Sequence, residues 1–189
     1  MAVWFTSDTH FNHAKIIEYS QRPFADVEEM TEVMIERWNK RVKPGDLIYH
    51  LGDFALSWGR QHADLVDGIL SRLNGQKWLI VGNHDRDEVV ENDRWVKVKD
   101  LHEIKVDLGG VHKQRIMMCH YPLRSWSQMH RGSWMLHGHC HGNLSDVGGK
   151  ILDVGVDVWG YAPVSLEWVA EYMGKREVVV CDHHTLGES

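Results

Sequence analysis

Residues 2–6, 46–51 and 77–81 are runs of strand length that are nearly continuous in apolar side chains. A strand covered on one face alternates polar and apolar residues, so these runs read as strands covered on both faces. Further short runs lie at 95–98, 104–108, 115–119, 133–137, 151–156 and 177–181. Helical patterns separate the first of them. Asp26-x-x-Glu29 has the form of a capping box, and Val27, Met30, Met34 and Trp38 then recur at helical spacing until Pro44-Gly45 ends the helix. A second helix is expected over 61–73, with Leu65, Val66, Ile69, Leu70 and Leu73 on one face and Asn74-Gly75 closing it. After about Trp95 strands dominate, up to a short helix near 165–173. Strand and helix alternating, then mostly strands, predicts an α/β sandwich with two sheets face to face and helices outside.

With 189 residues, 43% hydrophobic and 25% charged, the chain is sized for one domain over 1–189. It has no repeat, low-complexity stretch or long polar linker. The start, Met1-Ala-Val-Trp-Phe-Thr-Ser-Asp8, lacks a basic region and a cleavage site, and reads as a first strand. No segment approaches the roughly 18 apolar residues of a membrane helix, so the cytoplasm is the expected compartment. Cys119, Cys140 and Cys181 are odd in number and widely spaced, which argues against a disulfide framework or a thiolate zinc site. A net charge of -6 argues against stable nucleic-acid binding. The residue in excess is histidine, with 14 copies, several beside aspartate or glycine.

Polar clusters stand at five predicted strand ends: Ser7-Asp8-Thr9-His10, Gly52-Asp53, Gly82-Asn83-His84-Asp85, His120, and Gly138-His139-Cys140-His141-Gly142. In an extended segment side chains alternate, so Asp8 and His10 are expected on one side, and His139 and His141 likewise. Each cluster alone has an ordinary reading, as a turn aspartate, a surface His-x-His or a plain loop. Their order and placement carry the weight, because ligand sites in α/β sheets gather at strand ends. Carboxylate, imidazole and amide oxygen together suit divalent ions such as manganese, iron(II), zinc or cobalt. Seven candidate ligands exceed one tetrahedral ion, whereas two ions sharing a carboxylate use them all.

The order D-x-H, G-D, G-N-H-D/E, H, G-H-x-H resembles that of the calcineurin-like metallophosphoesterases. It is carried here by Asp8-Thr9-His10, Gly52-Asp53, Gly82-Asn83-His84-Asp85, His120 and Gly138-His139-Cys140-His141, over residues 3 to about 157. The resemblance implies a four-layer α/β/β/α sandwich, two mixed sheets flanked by helices, with metals at the strand ends. It implies that Asp8, His10 and His141 hold one ion, that Asn83, His120 and His139 hold a second, and that Asp53 bridges them. Manganese is the ion foremost expected, with iron(II), zinc, nickel and cobalt as alternatives. His84 would donate to a phosphate oxygen or the leaving group, and Asp85 would orient His84. Two such ions, about 3.5–4 Å apart, acidify a water shared between them and align phosphorus for in-line attack.

The expected substrate is a phosphate ester, a nucleotide among the options, with a phosphodiester favoured. Phosphomonoesters, phosphoproteins and a non-catalytic scaffold are the alternatives. Arg124 and Arg131 are placed to grip a phosphate, and Trp126 to stack on a base, because their segment joins two ligand clusters; burial in the core is the competing reading for Trp126. Asn12, His13, Arg22 and Phe54 are weaker candidates for the rim. His50, His62, His102, His112 and His137 read as packing or surface residues, and His183-His184 as a solvated tail. Asp46 reads as a local cap or pair, and Asp153 and Asp157 lie on or after a late strand, with Asp153 a weak candidate to support a ligand histidine.

Overall fold

A computed structural model describes residues 1–56 and 62–181. The predicted helix start at Gln61 and the His183-His184 tail lie outside the described residues. In chain order the elements are β1 (Val3–Thr6), α1 (Ala14–Tyr19), α2 (Val27–Arg41), β2 (Leu47–His50), α3 (Ala63–Arg72), β3 (Gln76–Ile80) and α4 (Asp87–Val90). The second half supplies β4 (Lys97–Lys99), β5 (Leu101–Val106), β6 (Gln114–Cys119), β7 (Trp134–His137), β8 (Ile151–Asp153), β9 (Val164–Ser165) and α5 (Leu166–Gly174). None of these helices is long and apolar enough to cross a membrane.

The strands form two mixed sheets flanked by helices. One has the order β4-β3-β2-β1-β9, parallel except for β9. The other has the order β5-β6-β7-β8, parallel except for β5. Alternate residues of each strand enter different layers, as the pleat requires. Ile48 and Leu79 pack with Met30, Met34 and Trp38 of α2 and Val66, Ile69 and Leu70 of α3. Phe5, Tyr49, Leu51 and Ile80 face the other way, onto Ile116, Met118, Leu136 and Leu152 of the second sheet. That double coverage is why the runs around β1, β2 and β3 read as continuous.

Helix α2 starts where its sequence says. The Asp26 carboxylate accepts from the Glu29 N–H at 2.8 Å, and Glu29 Oε2 reaches back to the Ala25 N–H at 2.6 Å. The return bond falls one residue earlier than in a strict capping box. Two strand expectations need correction. Residues 177–181 carry strand-like side chains but have no ladder partner among the described residues. The run 151–156 is a strand only to Asp153. Beyond it the chain crosses to the first sheet, where Val156 N donates to Ser7 O at 3.0 Å and Gly155 bridges Ser7. This crossing brings the ends of β1 and β7 together.

Candidate metal centre

The loops after β1, β2, β3, β6 and β7 converge at one end of the sandwich, and their backbone is strained there. Asp8, His10, Asp53, His139 and His141 all have left-handed φ, at 58°, 49°, 56°, 70° and 49°. Such a conformation costs a non-glycine residue about 1–3 kcal/mol and persists only where surroundings enforce it. Asp8 N donates to Gly52 O and His10 N to Asp53 O, each at 3.0 Å, which ties the β1 loop to the β2 loop. His139 N donates to both Asp8 carboxylate oxygens at 3.0 Å, which ties the β7 loop to β1. Asp8 and His10 therefore do share a side, but through two left-handed residues rather than through strand alternation. Thr9 between them turns inward and donates to Phe54 O at 2.7 Å. Glycine permits the crowding: a Cβ on Gly138 would stand 1.9 Å from Ser7 Oγ, and one on Gly82 would stand 2.3 Å from Asp53 Oδ1.

Two groups of side chains result. Ligand atoms of Asp8, His10 and His141 lie within 4.8 Å of one another, as do those of Asp53, His120 and His139. Asp53 Oδ2 lies between the groups, 3.5 Å from His10 Nε2 and 3.5 Å from His120 Nε2. The hydrogen bonds fix which ring nitrogen stays free. His120 Nδ1 donates to Leu51 O at 2.8 Å, so its Nε2 lone pair faces Asn83 Oδ1 at 3.1 Å and Asp53 Oδ2. His141 Nδ1 donates to Asp157 Oδ2 at 2.7 Å. His10 Nδ1 lies 3.3 Å from His13 Nδ1, while its Nε2 is buried without a hydrogen-bond partner. The His84 N–H donates to Asp53 Oδ1 at 2.8 Å, and its ring centroid lies 5.3 Å from that of His10.

The electrostatics describe a place short of positive charge. Burial pushes the Asp8 carboxyl up to about 7, against the pull of His141 and His120. Burial likewise holds His10 well below the usual imidazole range, and therefore neutral. For Asp53 burial acts upward, yet the adjoining His120 and the hydrogen bond from the His84 N–H hold it below the usual carboxylate range. An orphaned buried imidazole nitrogen, a buried carboxyl driven toward neutrality and lone pairs aimed at each other are all relieved by cations. The donor set fits divalent ions: imidazoles, carboxylates and one amide, without thiolate.

Three expected roles, those of Asp85, Trp126 and Asp153, need correction. Asp85 does not serve His84. Its Oδ2 accepts from Gly82 N and Asp53 N, each at 2.9 Å, and its Oδ1 from Phe54 N at 2.8 Å. It holds the β2 and β3 loops together, with its pKa raised to about 6 by burial. Trp126 is no stacking platform: it is buried with Met117, Met129 and Met135, and its Nε1 donates to Ser133 O at 3.2 Å. Arg124 and Arg131 are exposed, and neither side chain hydrogen-bonds to a described residue of the centre. The support for His141 is Asp157, not Asp153, whose oxygens accept from Gly142 N and Gly155 N at 3.0 and 2.8 Å.

The remaining side chains fall as expected or nearly so. His50 and His137 are buried, His112 is exposed, and His102 stacks on Trp78 with centroids 5.1 Å apart, but Phe54, a weak rim candidate by sequence, is wholly buried in the core. Asn12 Nδ2 donates to Leu56 O at 3.1 Å. Arg22, a weak rim candidate by sequence, is buried instead and grips Asp157. No local signal marks that pair, whose members lie 135 residues apart.

The sequence matches the model of the calcineurin-like phosphoesterase family over residues 1–187. It is 36% identical over 183 residues to an uncharacterized protein of Methanocaldococcus jannaschii, a match covering 94% of each chain. It is 29% identical over 180 residues to the gene 66 protein of Mycobacterium phage D29, across 83% of this chain and 88% of that one. Its fold is similar to the crystal structure of a protein of unknown function from Aquifex aeolicus, with a TM-score of 0.69 and 25% identity, over 90% of this chain and 98% of the other. A family match along nearly the whole sequence, borne by the sandwich just described, settles the kinship: the chain belongs to the calcineurin-like phosphoesterases, whose chemistry is metal-dependent hydrolysis of phosphate esters.

Proposed function

We propose that the protein hydrolyses phosphodiesters at a centre of two divalent ions, manganese foremost. Asp8, His10 and His141 would hold the first ion and Asn83, His120 and His139 the second, with Asp53 shared between them. One observation carries this reading: Asp53 Oδ2 is 3.5 Å from the free nitrogen of a histidine in each group. A single carboxylate oxygen so placed suits a bridge between two cations. When bound, the ions supply Lewis acidity, withdrawing charge from phosphoryl oxygens and lowering the pKa of nearby water.

The chain's own groups do the rest. Asp85, through the Asp53 N–H, and His84, through its own N–H to Asp53 Oδ1, fix the shared carboxylate from both sides. The His84 imidazole is half-buried beside His10, where it can donate to a phosphoryl oxygen or protonate a departing alkoxide. Asn83 and His139 are exposed, so the mouth on the second-ion side is open. An open mouth accommodates a phosphorus that carries a substituent on each side, which favours the diester over the monoester.

The test uses metal-stripped protein, with manganese, nickel, zinc or magnesium restored one at a time. Bis-p-nitrophenyl phosphate is expected to turn over faster than p-nitrophenyl phosphate, and Asp53→Ala is expected to abolish both activities. Folded protein inactive on either ester with every metal would overturn the enzymatic reading. Faster monoester turnover would overturn the diester preference alone.

A further inference from the structure

The two ion sites are not built alike. Asp8 and His10 of the first are buried and His141 is half-buried, whereas Asn83 and His139 of the second are exposed. The first set holds a carboxylate of its own in Asp8, while the second has the neutral Asn83 in the corresponding place. The supports differ as well: the Nδ1–H of His120 meets a backbone carbonyl, that of His141 a carboxylate. A carboxylate behind a ligating imidazole raises its basicity more than a neutral carbonyl does.

Behind that carboxylate stands Arg22. Its side chain is fully buried and that of Asp157 is 7% exposed. Arg22 Nε donates to Asp157 Oδ1 and its Nη2 to Asp157 Oδ2, both at 2.8 Å, in a fork that matches the planar carboxylate. The same guanidinium reaches the β1 loop: Nη2 donates to Asp8 O at 2.7 Å and Nη1 to Thr9 O at 3.0 Å. Those are the carbonyls between and beside the left-handed residues Asp8 and His10. One buried cation thus holds the strained backbone that carries two ligands of the first ion and, through Asp157, orients the third. Among the described residues, neither Arg22 nor Asp157 hydrogen-bonds to Asn83, His120 or His139.

We propose that Arg22 and Asp157 are positioning residues that preform the Asp8–His10–His141 site and make it the tighter of the two, able to fill before the Asn83–His120–His139 site. This rests on the two-ion reading above. The clamp acts on ligand geometry and on the donor strength of His141, so its loss weakens one binding step and spares the other.

The experiment is a manganese titration of metal-stripped protein, following free Mn2+ by electron paramagnetic resonance, for wild type, Asp157→Asn and Arg22→Lys. Asparagine keeps the shape and an acceptor for His141 but removes the charge; lysine keeps a charge but cannot span four acceptors. Wild type is expected to bind two ions in two steps. Both variants are expected to weaken the tighter step about 10- to 100-fold and to leave the weaker step unchanged within about twofold. His139→Ala is the converse control, losing the weaker step and keeping the tighter one. Equal weakening of both steps, for whatever cause, or no weakening of either, would overturn the clamp. A wild type that binds one ion, weakened by Asp157→Asn, would overturn the two-ion reading and leave the clamp standing. A wild type that binds none would overturn both.

Discussion

Asp85 and His84 are neighbours in sequence with separate tasks. Both oxygens of Asp85 are engaged by three backbone N–H groups, which sets the loops that carry Asp53 and Asn83. Asp85→Ala leaves those donors unsatisfied in a place water reaches poorly. An unmet buried donor costs about 1–3 kcal/mol, and partial relaxation keeps the expected total near 2–4 kcal/mol. Urea unfolding of the metal-stripped variant measures it, and a loss under about 1 kcal/mol would refute the bracing role. The position was legible in sequence but the task was not, because a motif shows which residues adjoin and not which backbone groups a side chain meets. His84 is a different case, since its ring is free to serve substrate. His84→Ala is expected to lower kcat about 10²- to 10⁴-fold while the protein still takes up its metal. The loss should be greater for an alkyl than for a nitrophenyl leaving group, because only the former needs a proton. Equal losses on both esters would leave His84 as a phosphate-oxygen donor and not as an acid.

At the scale of elements, legibility followed coverage and length. Strands β1, β2 and β3 were readable because both faces are packed, and α2 because its cap and apolar stripe agree. The helices α1 and α4, with six and four residues, are too short for periodicity to register. Strand β9 has two residues and exists only because β1 offers an open edge. Residues 177–181 fail in the opposite sense, carrying the pattern without a neighbour to pair with. Asp46 illustrates how elements are joined. Its carboxylate accepts from Ala2 N at 2.8 Å, Lys43 N at 3.0 Å and Trp4 Nε1 at 3.2 Å, locking the start of β1 to the entry of β2. The backbone N–H groups of Lys43 and Ala2 hold its pKa below the ordinary 3.8. A carboxylate depressed in the folded state stabilises fully above its unfolded pKa and loses that effect as pH falls through the folded value. Asp46→Ala should therefore lower the thermal midpoint at neutral pH, with the gap to wild type closing below pH 3.8. A gap that stays constant down to the acid transition would show that the carboxylate's charge is irrelevant.

For the molecule as a whole, the centre is a seam. Asp8, His10 and Asp53 extend from the first sheet and His120, His139 and His141 from the second, so cations held there would tie the two halves to each other. The converging side chains were legible because each follows directly on a strand, where a local motif survives. The Arg22–Asp157 clamp was not, since its partners lie 135 residues apart in the sequence and meet only in the folded chain. The same architecture predicts that stability depends on metal. Without a cation, burial pushes the Asp8 carboxyl up toward neutrality, and the nearby Asp53 adds to that in the same direction. An ion that binds only the folded chain stabilises it by about 2.7 kcal/mol at 100 times its dissociation constant. In a chain of this size 1 kcal/mol moves the midpoint by about 2–4 °C. Saturating manganese is therefore expected to raise the thermal midpoint of stripped protein by about 5–10 °C for each ion bound. Asp53→Ala, which removes the shared ligand, should cut the metal-dependent part of that rise. A midpoint indifferent to manganese in the wild type would mean that the converging side chains do not close on an ion, and that the seam is held by packing alone.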